Sequence, residues 1–332
     1  MAELTKFDVS EFLKTHQGKD VDYAFIRKEM KLDPNKSAWD SIRRIMGELA
    51  DEKFVKHLGG RAGRFKVIKQ IKPVQVFGKE RERRPPFPFI FPKDYDTGEV
   101  FPFADLIVVR EGDLILLPGQ GNFGKTGLCL NMAGDNIDKN PVLLGNEYTK
   151  DDEPTPRFLN RLDAMDWVQW ADEDGKDRFE LLPVYEDYAE HVVRNRINII
   201  DWINLPGEYY MISPVMEGIK RAIGNGIGVI VLQKNEGTDY GRGGSPSRDF
   251  ADVELLIDRH TDYESRITVG KVKESTGRVA GRSWAFGMEV QGTHIINIRE
   301  VVKCFECHGF KYIKGKGKCP SCNAIGWFNK EE

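Results

Sequence analysis

The 332-residue chain lacks the marks of several protein classes. No apolar run approaches the roughly 18 residues that a membrane span needs. The opening Met1-Ala2-Glu3-Leu4-Thr5-Lys6 carries no apolar signal region. A cytoplasmic protein with no membrane partner is the expectation. Cysteine is scarce: Cys129 stands alone, and the other four of five lie in the last 30 residues. That clustering argues for a metal site and against a disulfide framework. Net charge is only −3, but it is unevenly spread. Residues 1–84 hold 20 Lys and Arg against 13 Asp and Glu, and residues 300–332 hold 6 against 4. The middle, 85–299, is left with a net −12. Basic ends around an acidic middle mark either anion-binding surfaces or ordinary solvated faces. What is present is 40% apolar and 30% charged residues, enough for a real core and for two or three domains.

One stretch carries a specific chemistry. Gly119, Gln120, Gly121, Asn122, Phe123, Gly124, Lys125 and Thr126 follow the apolar run Leu114–Leu117. They precede Gly127 and a helical pattern through Ala133. Strand, Gly-x-x-x-x-Gly-Lys-Thr loop and helix form a phosphate cradle. Gly119 and Gly124 permit a tight loop whose N–H groups face phosphate oxygens, and the helix adds its positive end. Lys125 reaches the β- and γ-phosphates, and Thr126 is placed to ligate Mg²⁺.

The chain before this loop has two parts. Residues 1–70 read as three amphipathic helices, the third capped by Ser37, then a hairpin around Gly59–Gly63. That order resembles a winged helix-turn-helix domain. The resemblance puts Arg43 and Arg44 on the groove-facing helix and Arg61 and Arg64 on the wing, for DNA; a protein-binding role is the alternative. Residues 71–104 read as a linker, with a charge run and then Pro85-Pro86-Phe87-Pro88-Phe89-Ile90-Phe91-Pro92. Proline keeps it extended, and its Phe residues call for a surface, either this subunit's own or a neighbour's.

From residue 105 strands and helices alternate, which predicts an α/β fold with a mostly parallel sheet and helices on both faces. Apolar runs end at Glu147, Asp201 and Gln233. Ligands of such sheets sit at the carboxyl ends of strands, so these three side chains are expected to converge on the loop. Residues 105–299 resemble the RecA-like ATPases, especially the DnaB helicase, KaiC and RadA branch. The resemblance implies ATP and Mg²⁺ as cofactors. It implies that Glu147 activates water, that Asp201 supports Mg²⁺ through a water, and that Gln233 senses the γ-phosphate. It also implies a DNA-facing loop at Tyr240–Ser247, with Arg242 and Arg248 on phosphates. The strand Arg266–Lys273 resembles the branch's finger strand, which would place Lys271 and Lys273 at a neighbouring subunit's γ-phosphate. Lysine stands where arginine is usual, and it supplies charge without the planar fork.

Residues 300–332 carry Cys304-x-x-Cys307 and Cys319-x-x-Cys322, two knuckles that fit one tetrahedral Zn²⁺ in a zinc ribbon. Lys311, Lys314, Lys316 and Lys318 make its hairpin basic, which suits nucleic acid or a protein dock. Together these features predict a DNA-dependent ATPase, a hexameric ring or a filament, working as a phage- or plasmid-type replicative helicase. The alternatives are a RadA-like recombination ATPase on the same core, or a DNA-binding regulator whose oligomeric state nucleotide sets.

Overall fold

The computed structural model describes residues 4–32, 36–59, 63–73, 85–205, 207–235, 238 and 240–330. Two compact units divide the chain, 1–83 and 84–332. Among the described residues no helix is long and apolar enough to cross a membrane.

In the smaller unit α1 (Lys6–Lys14) begins with a capping box, Thr5 and Asp8 bonding each other's backbone. Strand β1 (Asp20–Asp22) leads to α2 (Tyr23–Glu29), capped by Asp22, and then to α3 (Lys36–Asp51). Ser37, expected as a cap, lies inside α3. Strands β2 (Val55–His57) and β3 (Arg64–Val67) close an antiparallel sheet in the order β1-β3-β2. One apolar cluster joins the helices to this sheet, with Val9, Leu13, Ile26, Ile42, Ile45 and Phe65 in it.

The larger unit is built on a ten-stranded sheet. Its elements are β4 (Leu114–Gly119), α4 (Lys125–Asp135), β5 (Val142–Leu144) and a small hairpin, β6 (Thr149–Lys150) with β7 (Glu153–Pro154). Next come α5 (Pro156–Ala164), β8 (Glu180–Leu182), α6 (Tyr188–His191), β9 (Ile197–Ile200), α7 (Ile212–Ala222) and β10 (Ile227–Gln233). After these follow α8 (Pro246–Asp249), β11 (Val253–Arg259), β12 (Glu264–Val272), β13 (Ser283–Glu289) and β14 (His294–Lys303). The last three are β15 (Tyr312–Ile313), β16 (Gly317–Lys318) and β17 (Trp327–Asn329).

The sheet order is β17-β14-β13-β12-β11-β4-β10-β9-β5-β8. The six strands from β11 to β8 are parallel, and the four beyond β11 are antiparallel. This is the α/β architecture that the alternation of elements predicts. Because successive side chains on a strand point to opposite faces, the parallel strands feed two cores. Ile115, Leu117, Ile199 and Val229 pack with α4 on one face. Leu114, Leu116, Ile200 and Ile230 pack with α7 on the other. The strands are apolar on both faces, as buried parallel strands must be.

The Pro-rich stretch after residue 84 lies on its own subunit's core. Phe91, Phe101 and Phe103 are buried there, with Phe103 edge-on to Trp284 at 5.3 Å between centroids. Asn136, at the end of α4, accepts from the Ile90 N–H at 3.0 Å and donates to its carbonyl at 2.7 Å. The strap is therefore pinned to the helix that follows the phosphate loop. Phe103→Ala should leave a cavity among Phe91, Phe101 and Trp284 and lower the stability of the larger unit by about 3–5 kcal/mol in urea unfolding.

Candidate functional site

Strand β4 delivers the loop at its carboxyl end. A Cβ added at Gly119 would stand 2.8 Å from Lys125 Cδ, so the lysine stem lies over the strand end. Asn122 (φ 65) and Gly124 (φ 83) turn the chain back into α4, whose first N–H groups no side chain caps. Free N–H groups at a helix N-terminus are suited to an anion. Gly127 is fixed by contact: a Cβ there would meet the Gly292 carbonyl at 1.9 Å. Asn131 extends that contact, donating to the Gly127 carbonyl at 2.9 Å and the Thr293 carbonyl at 2.8 Å.

The neighbouring strand ends bring in the acids. Strand β5 stops at Leu144, and Gly145 (φ 118) swings the chain toward Glu147. A side chain at Gly145 would collide with the Asp201 carbonyl at 2.3 Å, so glycine is required where these two strand ends meet. The Glu147 N–H donates to that same carbonyl at 3.3 Å. The Gln233 Oε1 lies 3.5 Å from Lys125 Nζ, which also donates to the Gln120 carbonyl. A cavity of about 430 Å³ opens here, lined by Gly121–Gly127, Glu147, Asp201 and Gln233. The convergence expected of these residues is present.

The electrostatics are those of a site lacking its counter-charges. Asp201 is 1% exposed, and neither carboxylate oxygen has a hydrogen-bond donor. Burial pushes its pKa up to about 7, only partly countered by Thr126, which lies close without hydrogen-bond geometry. Lys125 is 6% exposed, and burial lowers its pKa. An orphaned carboxylate beside a hydroxyl is an oxygen-donor set that fits a hydrated divalent cation such as Mg²⁺.

Two arginines that the sequence reading passed over also line the cavity. Arg157 and Arg161 lie on α5, four residues apart and so on one helix face. Arg161 donates through Nε to the Gln291 carbonyl at 3.3 Å, while its buried Nη1 has no partner. The signal was available: Thr155 caps α5 and Pro156 occupies its first position. The exposed ring of Tyr263, in the turn between β11 and β12, closes another side of the cavity.

Other candidates lie elsewhere. Lys271 donates to the Arg248 carbonyl at 2.6 Å, and Lys273 pairs with Asp252 at 2.6 Å. Lys271 is opposite Glu254 in register, near the end of β11 away from the loop. Neither lysine lines the cavity of its own chain. Arg248, expected on phosphates, commits its guanidinium to the fully buried Glu254 at 2.8 Å and to the Gly270 carbonyl at 3.2 Å. A buried carboxylate demands such a partner. Arg242 is exposed and borders a separate depression with Tyr240. Arg43 and Arg44 are exposed on α3, the latter paired with Glu48, and Arg64 on β3 pairs with Asp20. Arg61 lies outside the described residues.

The four C-terminal cysteines meet. Their sulfurs lie within 4.8 Å of one another and all four residues are buried. Cys304 to Cys319 is 3.8 Å and Cys307 to Cys322 is 3.6 Å, far beyond a disulfide bond. Tetrahedral Zn–S bonds of ~2.3 Å give S···S edges of about 3.8 Å. The Gly326 N–H points at Cys322 Sγ, 3.1 Å away, as suits a thiolate. The set fits structural zinc. The knuckles extend from the main sheet, since β17 returns to pair with β14.

No family model and no curated protein matches the chain. Among solved structures it is similar to the RadB recombinase, at 14% identity and TM-score 0.42, over 57% of this chain and 91% of that one. It is also similar to a KaiC-like protein from the archaeon Pyrococcus horikoshii, at 13% identity and TM-score 0.46, over 64% of this chain and 99% of that one. Substrate and partners do not follow from likeness of this extent. The class is defined by the molecule itself. It has an α/β core with a glycine-rich loop at the end of β4, one strand between that loop and Asp201, and Glu147 one strand further.

Folding raises the Asp201 pKa, so its ionisation opposes folding. The penalty is absent below the unfolded value of 3.8, grows as pH rises, and is complete above about 7. In metal-free buffer Asp201→Asn should leave Tm unchanged near pH 4 and raise it progressively toward pH 8; a constant offset would contradict this. Metal analysis should find one Zn²⁺ per chain, falling to near zero in Cys319→Ser.

Proposed function

We propose that the chain is a Mg²⁺-dependent ATPase that acts on DNA as a ring or filament. The observation that carries this reading is the pair of buried, mutually unpaired charges, Lys125 and Asp201, at one cavity with Glu147. A polyphosphate with its cation satisfies both charges at once. Thr126 and Asp201 would hold Mg²⁺, which would supply charge neutralisation to the phosphates. Lys125 and the loop N–H groups hold the same phosphates and draw off charge as the terminal bond loosens. Glu147 orients a water for in-line attack and takes its proton. Gln233, beside Lys125, reports whether the terminal phosphate is there.

In this reading Lys271 and Lys273 act on a neighbour's nucleotide. Their place at the other end of the sheet suits that role, because they cannot reach their own loop. The smaller unit is read as a winged helix, with Arg43, Arg44 and Arg64 toward DNA. Coupled turnover around a ring would drive strand separation, so the finer assignment is a replicative helicase.

Lys125→Ala should lower ATP hydrolysis at least about a hundredfold, and Glu147→Gln should do so with nucleotide still bound. Single-stranded DNA should stimulate the wild type. Mixing Lys125→Ala with Lys273→Ala protein should restore part of the activity, since a mixed interface holds one intact loop and one intact finger. No restoration, or a strict monomer with ATP analogue and DNA, removes the trans assignment. Slow turnover indifferent to DNA favours a regulator, and strand exchange without unwinding of a forked duplex favours a recombinase.

A further inference from the structure

The zinc-binding hairpin carries an aromatic surface that the nucleotide site does not use. Phe305, Phe310 and Tyr312 are 71%, 79% and 57% exposed, three large rings within eight residues. The segment is short and has little core beyond its cysteines, Ile313 and Phe328. Phe305 stacks on Phe328 at 5.9 Å between centroids, but packing does not explain the exposure of Phe310 and Tyr312.

Their setting is basic. Between Lys303 and Lys330 the sequence has six lysines and one acid, Glu306. Lys303 and Lys330 are engaged, one at the Trp327 ring and the other with Glu300. Lys311, Lys314, Lys316 and Lys318 of the hairpin have no ion pair among the described residues. In β15 and β16, Tyr312 stands opposite Lys318 and Ile313 opposite Gly317. Alternation puts Ile313 toward the cysteines, where it packs, and Tyr312 with Lys318 on the other, outward face. A ring and an ammonium thus share one exposed cross-strand position, with Lys314 and Lys316 in the turn beside them.

We propose that this surface binds single-stranded nucleic acid, with unpaired bases stacked on Phe310 and Tyr312 and phosphates held by Lys314, Lys316 and Lys318. Base faces stack on aromatic rings whatever the sequence, and lysines follow the backbone beside them. A duplex hides its base faces, so it engages only the lysines. A protein partner is the poorer match, because protein interfaces favour aromatics but are depleted in lysine. The four cysteines hold the hairpin's shape, so the rings are presented without an ordering cost on binding. The surface supplies the DNA-acting ATPase proposed above with a strand-holding element outside its sheet, and in that sense rests on that reading.

The test is fluorescence anisotropy of a labelled 20-nucleotide oligothymidylate with the full-length protein. Phe310→Ala with Tyr312→Ala should weaken binding at least about tenfold, in the range that stacking losses produce. Phe310→Tyr with Tyr312→Phe should stay within about threefold of wild type. Removing the three lysines should flatten the plot of log affinity against log salt by about 2, at ~0.7 per phosphate. Zinc content and DNA-free ATP turnover should be unchanged in all variants. A ribo-oligonucleotide arm tells RNA from DNA, and a duplex arm should show little dependence on the rings. Equal affinity of the wild type and the double alanine variant overturns the proposal. So does a change of oligomeric mass with DNA affinity intact, which would mark a protein dock. Failure of the wild type to hydrolyse ATP overturns the ATPase reading alone, because the binding measurement needs no turnover.

Discussion

Lys125 and Asp201 are opposite charges buried on one edge of one sheet, yet no ion pair joins them. The sheet order explains why. Strand β10 lies between β4, whose loop leads to the lysine at the start of α4, and β9, which ends just before the aspartate. Two strand spacings of ~4.8 Å set the ends of β4 and β9 about 10 Å apart. Burying such charges unpaired is costly, and the apolar strands on both faces are what hold them there. The glycines at 119, 127 and 145 let backbone and side chains approach where a Cβ would collide. The site is a tension between an apolar core and two charges that only a ligand reconciles.

The other end of the sheet has the reverse character. There Asp252 is buried and paired with Lys220 and Lys273, and the buried Glu254 has Arg248 at 2.8 Å, although burial still raises its pKa and neither of its oxygens accepts a hydrogen bond. Burial still contributes most to the pKa of both acids, yet Asp252 ends below the usual carboxylate range because two lysines bond it. Each acid at this end has a cation within ion-pair distance, whereas Asp201 has none among the described residues.

Much of this was legible because the signals are local. The run Ile227–Leu232 is apolar and ends in Gln233, and the strand has the bounds Ile227–Gln233. The phosphate loop is a contiguous motif, and the cysteine knuckles are two short repeats. What was not legible depends on chain direction after a turn. Glu147 reads as the last residue of a strand, but β5 ends three residues earlier and Gly145 re-aims the chain. Arg157 and Arg161 reach the cavity from α5, whose start is marked by Thr155 and Pro156, but that start says where the helix begins and not which strand ends it faces. The Pro-rich stretch reads as a linker because proline dictates extension and says nothing about what the extended chain lies on. Arg248 misleads for a related reason. It follows a glycine-rich loop, in α8, but Glu254 in the apolar run that comes next is buried and takes its guanidinium at 2.8 Å.

The zinc-binding segment is tied to the nucleotide site through covalent and packed structure. Gly127, in the first turn of α4, rests against Gly292, and Asn131 bridges the carbonyls of Gly127 and Thr293. Residue 294 begins β14, whose far end is Lys303, next to the first cysteine. Strand β17 returns from the last knuckle to pair with β14. The first turn of α4 and the start of the strand that leads to the cysteines are therefore in direct contact.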